Sequence, residues 1–470
     1  MSAVGRIAST SLLVVLASLS DARALTCPRR IVFDLDPAGD FDDLSALWVA
    51  ATSPELELVG AVVTSGAPEA GERSATRALA VVGREDVRLV RGLTPIGPPP
   101  TLSYWSQFPP RGYEEFAEIE RFGDGVAVVP DARTGVDFYL DTALAPGAAI
   151  SVVTGSSLTT LAEALREADR RGVGKAFRAG IQCVLISGGD FRTAEWNVFA
   201  DIPAAREVLA SGIPIFQFGG EDEPKSRLHY ADRQRLWEAA TPLTWAIQEL
   251  YQLYHAGQDP TSPFLPILYD VHPLAYLIEG EKAFRFQPLA VTVDDTGHLV
   301  SGPGSPNVMS RVPTPGNDLV DWIVPRLTVR VPPAEAHLRA IRKASASGAP
   351  AGLGAALDAA QAAIEGAGPI DPGAVQARLA AVGEQLSGLG DRAPAAQRHL
   401  ELARQFLLGD PRPDAWRDPY TDRYIRLKLV WMRLPRLPKR KLAAALVTVG
   451  AALWIAAWLR RRRREASGVA

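Results

Sequence analysis

Short apolar runs rich in β-branched residues alternate, from residue 30 to about residue 331, with longer stretches whose apolar positions recur at helical spacing. The runs predict buried strands at 31–33, 58–63, 87–90, 149–153, 183–187 and 213–218. The longer stretches predict helices at 44–52, 73–82, 158–171 and 202–211. This alternation favours an α/β fold with a doubly wound, mostly parallel sheet and helices on both faces. In such folds the ligand crevice lies beyond the carboxyl ends of the strands.

The pattern changes in the last third of the chain. A Pro- and Gly-rich stretch at 301–317 predicts a loop before a last apolar strand. Residues 333–408 are Ala-rich with helical spacing, and they predict a small helical hairpin or bundle without chemistry of its own. Residues 410–441 mix aromatic, leucine and basic side chains. That mixture suits either a juxtamembrane segment on anionic lipid or a solvated linker.

The first residues are typical of a secretory signal peptide, predicted here to cover residues 1–24. Arg6 supplies the positive start, residues 12–19 form a short apolar stretch, and Ala22-Arg23-Ala24 matches a cleavage site. An uncleaved N-terminal anchor is the alternative. In either case the sequence predicts export of the domain that follows.

A second membrane signal lies near the other end, where the run 442–459 is apolar and uncharged. As a helix it would extend about 27 Å, which is enough to cross the hydrocarbon core. Basic residues flank the run on both sides, as Lys439-Arg440-Lys441 and Arg460–Arg464, so the positive-inside rule does not fix its orientation. The predicted export of the preceding domain does fix it, and it leaves residues 460–470 as a cytoplasmic tail. A buried core helix is the alternative, which the neighbouring arginines disfavour. The chain is thus expected to be a single-pass membrane protein in contact with the lipid bilayer.

Composition narrows the class of protein. A chain of 470 residues with 47% hydrophobic and 22% charged residues suits one large globular domain and a smaller part. The formal net charge of -3 argues against a nucleic-acid binder. With Cys27 and Cys183 as the two cysteines, the sequence argues against a disulfide framework and against a cysteine-rich zinc site. Cys183 lies in an apolar run and is expected to be a buried small hydrophobe, and Cys27 fits a lipidation signal poorly.

Five carboxylates occur within ten residues where the first predicted strand leads into a helix, in the run Asp34-Leu35-Asp36-Pro37-Ala38-Gly39-Asp40-Phe41-Asp42-Asp43. Like charges at that density repel one another unless a cation neutralises them. Hard oxygen ligands without clustered histidine or cysteine favour Ca²⁺ or Mg²⁺. An acidic helix cap with solvated turn charges is the alternative, and it explains one or two of the aspartates.

This run resembles the D-x-D-x-G-x-D-x-D-D motif of the inosine/uridine-preferring nucleoside hydrolase family, with the glycine displaced by one position. The resemblance implies that Asp36 binds Ca²⁺ and serves as the catalytic general base toward water. It implies that Asp43 is a second metal ligand and that Asp42 holds a ribose hydroxyl.

Three later segments are similar to the family's motifs and follow in its order. They are Thr154–Ala162, Ser187–Gly189 with Ala194–Asp201, and Tyr269–Ala275. The resemblance implies that the main-chain carbonyl of Thr154 and the carboxylate of Asp270 complete the metal site. It also implies that Glu195 and Asn197 hold ribose hydroxyls. The likeness covers roughly residues 31–331.

The chain departs from the family on the side where the leaving base would lie. The family's asparagine after the second strand has no counterpart near Ser65-Gly66, and Tyr269 replaces a histidine before Asp270. Tyr269 is a candidate for orienting the leaving base. The alternative is that its side chain only packs against its neighbours. Residues 97–131, where a base-covering loop would fall, contain aromatic side chains that either stack on a base or fill a surface cluster.

These observations predict a Ca²⁺-dependent N-glycosyl hydrolase that acts on ribonucleosides or related N-ribosides. Family members often form oligomers, so a homo-oligomer is an expectation without an identified interface. A membrane-tethered protein that binds ribosides without turnover remains open as a sensory alternative. Two further readings are a phosphatase with Asp34-Leu35-Asp36 as its nucleophile motif, and a structural ectodomain with degenerate motifs.

Overall fold

The computed structural model describes twelve stretches of the chain. They are residues 26–37, 41–64, 67–97, 121–123, 125–129, 131–219, 226–228, 230–257, 267–312, 319–346, 348–365 and 370–409. All of them belong to one compact unit, and a second unit comprises 260–263 and 413–470. The predicted signal peptide, juxtamembrane segment, transmembrane helix and tail lie outside the described residues. Among the helices that are described, none has the length and apolar character needed to cross a membrane.

The described residues form a main sheet from the strands β1 (Arg30–Leu35), β2 (Glu57–Val63), β3 (Arg88–Arg91), β4 (Ile150–Thr154), β5 (Ile181–Ser187), β6 (Ile215–Phe218), β7 (Arg285–Leu289) and β10 (Val308–Val312). Their order across this sheet is β3-β2-β1-β4-β5-β6-β10-β7. All neighbouring pairs are parallel except β10 with β7. A small antiparallel hairpin, β8 (Val291–Val293) with β9 (Leu299–Ser301), lies apart from this sheet.

Helices cover both faces of the sheet, which explains why its central strands are apolar along their whole length. The α-helices are α1 (Asp42–Thr52), α2 (Pro68–Val81), α3 (Gly135–Ala143), α4 (Thr159–Arg170), α5 (Gly174–Gly180), α6 (Trp196–Phe199), α7 (Ile202–Leu209), α8 (Tyr230–Ala239), α9 (Pro242–Gly257), α10 (Val271–Glu279), α11 (Val320–Leu327), α12 (Val331–Ser345), α13 (Leu353–Glu365), α14 (Pro372–Leu386) and α15 (Ala393–Leu408). Ile31 and Phe33 face a core that includes α1, α2 and α9 to α15. Val32 faces a second core that is built with α3, α4, α5 and α7. The predicted doubly wound, mostly parallel α/β sheet is thereby confirmed.

The C-terminal helices α12 to α15 pack against the α/β part and extend one of its two cores. Arg330 donates hydrogen bonds to the carbonyls of Phe406 and Ala239, at 3.0 and 2.6 Å. The Nε2 atom of buried His337 donates to the carbonyl of Val81 at 3.0 Å, and burial lowers the pKa of His337 to about 3. Since Nε2 carries the proton, His337 Nδ1 accepts from His399 Nδ1 at 3.0 Å.

Two expectations for the region after residue 300 are wrong. Part of the predicted 301–317 loop is strand β10, which pairs with β6 and β7 inside the sheet. The apolar stretch after it is helix α11, whose buried positions Val320, Ile323, Val324 and Leu327 have helical spacing. A run of four to eight apolar residues does not distinguish a buried strand from a buried helix, and this ambiguity caused the second error.

The two cysteines form a disulfide, Cys27–Cys183, with a Cα–Cα distance of 5.6 Å. Cys183 is buried as expected, with 1% of its surface exposed. The expectation that it is a free, small apolar side chain is wrong, because its sulfur is bonded to Cys27. The bond connects the residues just before β1 to β5 across a sequence separation of 156. In the chain-entropy model, closing so long a loop in the unfolded state stabilises the fold by about 4–5 kcal/mol.

Candidate functional site

The acidic run lies where the order of the strands reverses. Strand β1 lies between β2 and β4 in the sheet, and Asp34 on β1 is in register with Thr154 on β4. At such a reversal the two connections leave toward opposite faces and open a crevice beyond the carboxyl ends of the strands. Asp36 follows β1 directly, and Thr154 is the last residue of β4. The fold therefore places both residues at the mouth of the crevice.

Three aspartate carboxylates converge there. One carboxylate oxygen from each of Asp42, Asp43 and Asp270 lies within 4.8 Å of the other two, and none of these residues is more than 7% exposed. Asp42 and Asp43 form the first turn of α1, and Asp270 precedes α10. The amide of Asp43 donates to Asp42 Oδ1 at 3.1 Å, and the amide of Asp36 donates to Asp43 Oδ1 at 3.0 Å.

Asp36 is 7% exposed and adjoins this group through that main-chain bond, while its carboxylate lies outside the group of three. Burying several like charges is unfavourable unless a cation offsets the repulsion, and the positive end of α1 offsets it only partly. The group contains oxygen ligands and neither histidine nor cysteine. Its donor set therefore fits a hard divalent cation.

A close backbone approach fixes one of the three carboxylates. A Cβ atom added to Gly155 would lie 2.3 Å from Asp270 Oδ2 and 2.6 Å from its carboxyl carbon. No side chain fits at position 155 while Asp270 keeps its place. The amide of Gly155 donates to the carbonyl of Asp34 at 2.7 Å, which ties the end of β4 to β1.

Asp34 holds the two strand ends together from inside the protein. Tyr139 and Ser156 each donate a hydrogen bond of 2.8 Å to its carboxylate. Burial raises the pKa of Asp34 to about 7, against the lowering effect of hydrogen bonds from Thr64, Tyr139 and Ser156. Asp34 thus serves the site as a scaffold that connects β1, β4 and α3.

Glu195 and Asn197, predicted to hold ribose hydroxyls, lie beyond the end of β5, the strand next to β4. Glu195 Oε2 accepts from the amide of Gly189 at 2.8 Å, and Oε1 accepts from the amide of Asn197 at 3.1 Å. Burial raises the pKa of Glu195, which these amide bonds partly oppose. The Asn197 side-chain amide donates to the carbonyl of Ser187 at 2.8 Å. Both side chains are thereby held rigidly beside the turn that follows β5.

Tyr269, predicted to face the leaving base, is partly buried, and its ring lies edge-on to His272 at 6.1 Å between centroids. His272 Nε2 pairs with Ser226 Oγ at 2.8 Å, and the amide of Leu268 donates to the carbonyl of Ser226 at 3.2 Å. These bonds hold the segment that carries Asp270. The predicted base-covering region, 97–131, lies largely outside the described residues.

The structure also brings in residues that the sequence analysis did not assign to the site. Ser156, which bonds to Asp34, lies inside the Thr154–Ala162 segment, so the sequence contained a signal for it. Tyr139, which bonds to Asp34 across 105 positions of the sequence, had no such signal. Gly155 lies in the same motif, and its role depends on a contact with Asp270 that only the folded chain shows.

The family model described as inosine-uridine preferring nucleoside hydrolase matches residues 31–323, more than half of the chain. The chain belongs to this family. This membership makes it an enzyme of the N-ribosyl hydrolase class, and the acidic group lies inside the matched region.

Curated relatives and solved structures agree with the family. The chain is 25% identical over 268 residues to pyrimidine-specific ribonucleoside hydrolase RihA of Salmonella agona, covering 53% of this chain and 80% of the relative. Identity to RihA of Photobacterium profundum is also 25%, over 64% of this chain and 98% of the relative. The purine-preferring ribonucleoside hydrolase from Gardnerella vaginalis is similar in fold, with a TM-score of 0.52 and 20% identity over 64% of this chain and 98% of that one.

A Gly155→Ala substitution tests whether the close approach positions the metal site of this nucleoside hydrolase. The added methyl group would displace Asp270, so divalent-cation affinity should fall at least tenfold and kcat/KM about 10²-fold, as expected for a misplacement near 1 Å. The matched control is Gly354→Ala, where nothing lies within 4 Å of the added atom. Calorimetric titration and base-release assays on both variants make the comparison. Unchanged affinity and activity in Gly155→Ala would show that Asp270 is not held by this contact.

Proposed function

We propose that this nucleoside hydrolase cleaves the N-glycosidic bond of ribonucleosides or related N-ribosides, giving free base and ribose, with Ca²⁺ as its metal ion. The observation that carries the proposal is the buried group of Asp42, Asp43 and Asp270 at the strand-order reversal. A carboxylate group of this density in a crevice suits a cation and a polyhydroxylated substrate better than a purely structural role.

Asp36, Asp43, Asp270 and the main-chain carbonyl of Thr154 are the residues that would hold the ion. Thr154 ends β4 and Asp36 follows β1, Asp43 lies in the first turn of α1, and Asp270 immediately precedes α10. Oxygen-only ligands favour Ca²⁺ or Mg²⁺, and the mixture of carboxylates with a carbonyl suits the larger, less rigid shell of Ca²⁺. When bound, the cation would supply positive charge that favours ionisation of water and holds ribose hydroxyls.

The protein's own groups then have separable tasks. Asp36 would accept a proton from the attacking water. Its main-chain bond to Asp43, which keeps residue 36 beside the carboxylate group, supports this role. Asp42, Glu195 and Asn197 would hold the ribose, the last two from a turn whose side chains are already fixed by amide and carbonyl bonds. The carboxylates also stabilise the positive charge that develops on the sugar as the bond to the base breaks.

The substrate specificity that has to be determined is the identity of the leaving base. The Salmonella relative is named pyrimidine-specific and the Gardnerella protein purine-preferring. Tyr269 is the residue of this chain that we propose to contact or orient the base, because it immediately precedes Asp270 in the chain. A substrate panel must therefore include both classes of base.

The decisive assay follows base release from purine and pyrimidine ribonucleosides by the purified full-length protein, with Ca²⁺ and with EDTA. We expect calcium-dependent release of at least one base. In Asp36→Asn the value of kcat/KM should fall by about 10²–10⁴, the usual contribution of a general base. Asp358→Asn, which changes a surface carboxylate paired with Arg342, is the matched control and should retain activity.

The alternative function, riboside binding without turnover, is decided by the same experiment. Binding of a nucleoside without base release, in folded protein that holds Ca²⁺, would contradict the hydrolase and support a sensory protein. Release that EDTA leaves unchanged would retain the hydrolase and contradict the metal.

We further propose that the enzyme is exported and tethered to a bacterial membrane by residues 442–459. The Cys27–Cys183 bond supports export, because structural disulfides persist in oxidising compartments and are rare in the cytosol. The apolar run and its flanking arginines support the tether.

Fractionation of the source cells tests this location. The chain is expected in alkali-washed membranes, with Cys27 and Cys183 resistant to alkylation until a reductant is added. Recovery in the soluble fraction would contradict the tether, and immediate alkylation of both thiols in denatured, unreduced samples would contradict the oxidising compartment.

A further inference from the structure

Gln217 is a polar residue inside the otherwise apolar strand β6. It is 4% exposed, and the other three residues of the strand are Ile215, Phe216 and Phe218. Strands covered by helices on both faces are usually apolar throughout, and burial of an amide is unfavourable unless its polar atoms are hydrogen-bonded. Gln217 therefore needs partners inside the protein. The metal site and the ribose contacts proposed above do not include it.

Both polar atoms of the Gln217 amide are hydrogen-bonded. Ser310 Oγ, on the neighbouring strand β10 and in register with Gln217, donates to Gln217 Oε1 at 2.9 Å. Gln217 Nε2 donates to the carbonyl of Gly188 at 3.1 Å and to that of Gly189 at 2.6 Å. A flipped amide would place its oxygen against these two carbonyl oxygens. The orientation of the side chain is therefore fixed.

The two carbonyls belong to the turn that follows β5 and lies against Glu195. Gly188 and Gly189 have φ angles of 146° and 77°, which L side chains rarely adopt. A Cβ atom added to Gly188 would lie 2.5 Å from Glu195 Oε2. The turn thus packs directly on the carboxylate that we propose to hold a ribose hydroxyl.

One peptide unit connects the side chains of Gln217 and Glu195. Its carbonyl, from Gly188, accepts from Gln217, and its N–H, from Gly189, donates to Glu195 Oε2 at 2.8 Å. The C=O and N–H of a trans peptide point in opposite directions, so the two side chains lie at opposite ends of one dipole. A hydrogen bond to the carbonyl polarises the peptide and strengthens the bond that its N–H donates. Gln217 therefore acts on the Glu195 carboxylate without touching it.

Other contacts leave this turn little room to move. A Cβ atom added to Gly219 would lie 2.4 Å from Gln217 Nε2 and 2.5 Å from the Gly189 carbonyl oxygen. A Cβ atom added to Gly189 would lie 2.8 Å from Leu299 Cδ1. The amide of Leu299, on β9, also donates to the carbonyl of Asp190 at 2.9 Å. The turn is thus fitted closely between β6 and the β8–β9 hairpin.

We propose that Gln217 is a positioning residue for riboside binding, which acts on Glu195 through the Gly188–Gly189 peptide. This role rests on the proposed function, because it takes Glu195 to hold a ribose hydroxyl. Ser310 supports it by fixing the amide of Gln217. A role in stability alone has a different consequence. Lost stability lowers the amount of folded enzyme, whereas a displaced Glu195 weakens the riboside affinity of the enzyme that is folded.

Gln217→Met separates these consequences, because it roughly keeps the volume of the side chain and removes both donated bonds. In the full-length protein with Ca²⁺, KM for inosine and uridine should rise about tenfold and kcat should change less than about threefold. Loss of folded enzyme would instead lower the apparent kcat at unchanged KM. Arg330→Met, which removes donors to the carbonyls of Phe406 and Ala239 at 3.0 and 2.6 Å, is the matched control and should keep the wild-type KM.

A double-mutant cycle with Glu195→Ala tests the path of the effect. The rise in KM caused by Gln217→Met should disappear in the Glu195→Ala background, because the two residues then no longer act as a unit. If Gln217→Met does not fold, Ser310→Ala replaces it in the cycle, with a rise in KM of about threefold. An equal rise in both backgrounds, or an unchanged KM in the folded variant, would overturn the role of Gln217.

Base release by the wild type keeps this test separate from that of the proposed function. A wild type that releases no base would contradict the hydrolase. Calorimetric Kd values for inosine and uridine would then replace KM in the same variants, with the same tenfold weakening expected for Gln217→Met. A wild type that neither releases a base nor binds either nucleoside would overturn both proposals.

Discussion

Repulsion between buried carboxylates is the constraint on which this structure depends. Asp42, Asp43 and Asp270 have oxygens within 4.8 Å of one another and are almost excluded from water, with the acidic Asp36 next to them. The N-terminus of α1 and two main-chain amides offset part of that repulsion. In the function we propose, a divalent cation would offset the remainder, and the same charge would then serve substrate binding and chemistry. Stability and function would thereby share one electrostatic origin.

The surrounding fold keeps these charges close. Asp34 joins β1 to β4 and α3 through Tyr139, Ser156 and the amide of Gly155. Gly155 in turn leaves room for Asp270. Further out, the Cys27–Cys183 bond fastens the start of β1 to β5, and the C-terminal helices extend the core on the α1 side. The contacts of Asp34 and Gly155 oppose the separation that the like charges would otherwise favour.

The sequence predicted the parallel sheet well, because strands buried on both faces are apolar along their whole length and alternate with helices. The sequence also indicated where the candidate cation site lies, because five carboxylates within ten residues are visible without a structure. It did not predict the disulfide, the inclusion of β10 in the sheet, or the Tyr139–Asp34 bond, which join residues distant in sequence. Periodicity reports which face of an element is buried, whereas these contacts depend on which elements meet. The assignment of Glu195 and Asn197 to ribose rests on family resemblance, because their observed bonds are local.

Whether the buried aspartates form a metal site can be measured by calorimetric titration of Ca²⁺ into the chelator-treated full-length protein, with Asp43→Asn and Asp270→Asn beside the wild type. Asp295→Asn, which alters a carboxylate 93% exposed, is the control. We expect one ion to bind per chain in the wild type and in the control, with affinity at least tenfold weaker in both site variants, because each loses a charged ligand. A wild-type chain that binds no divalent cation, or site variants that bind it undiminished, would contradict the claim that these buried aspartates form a metal site.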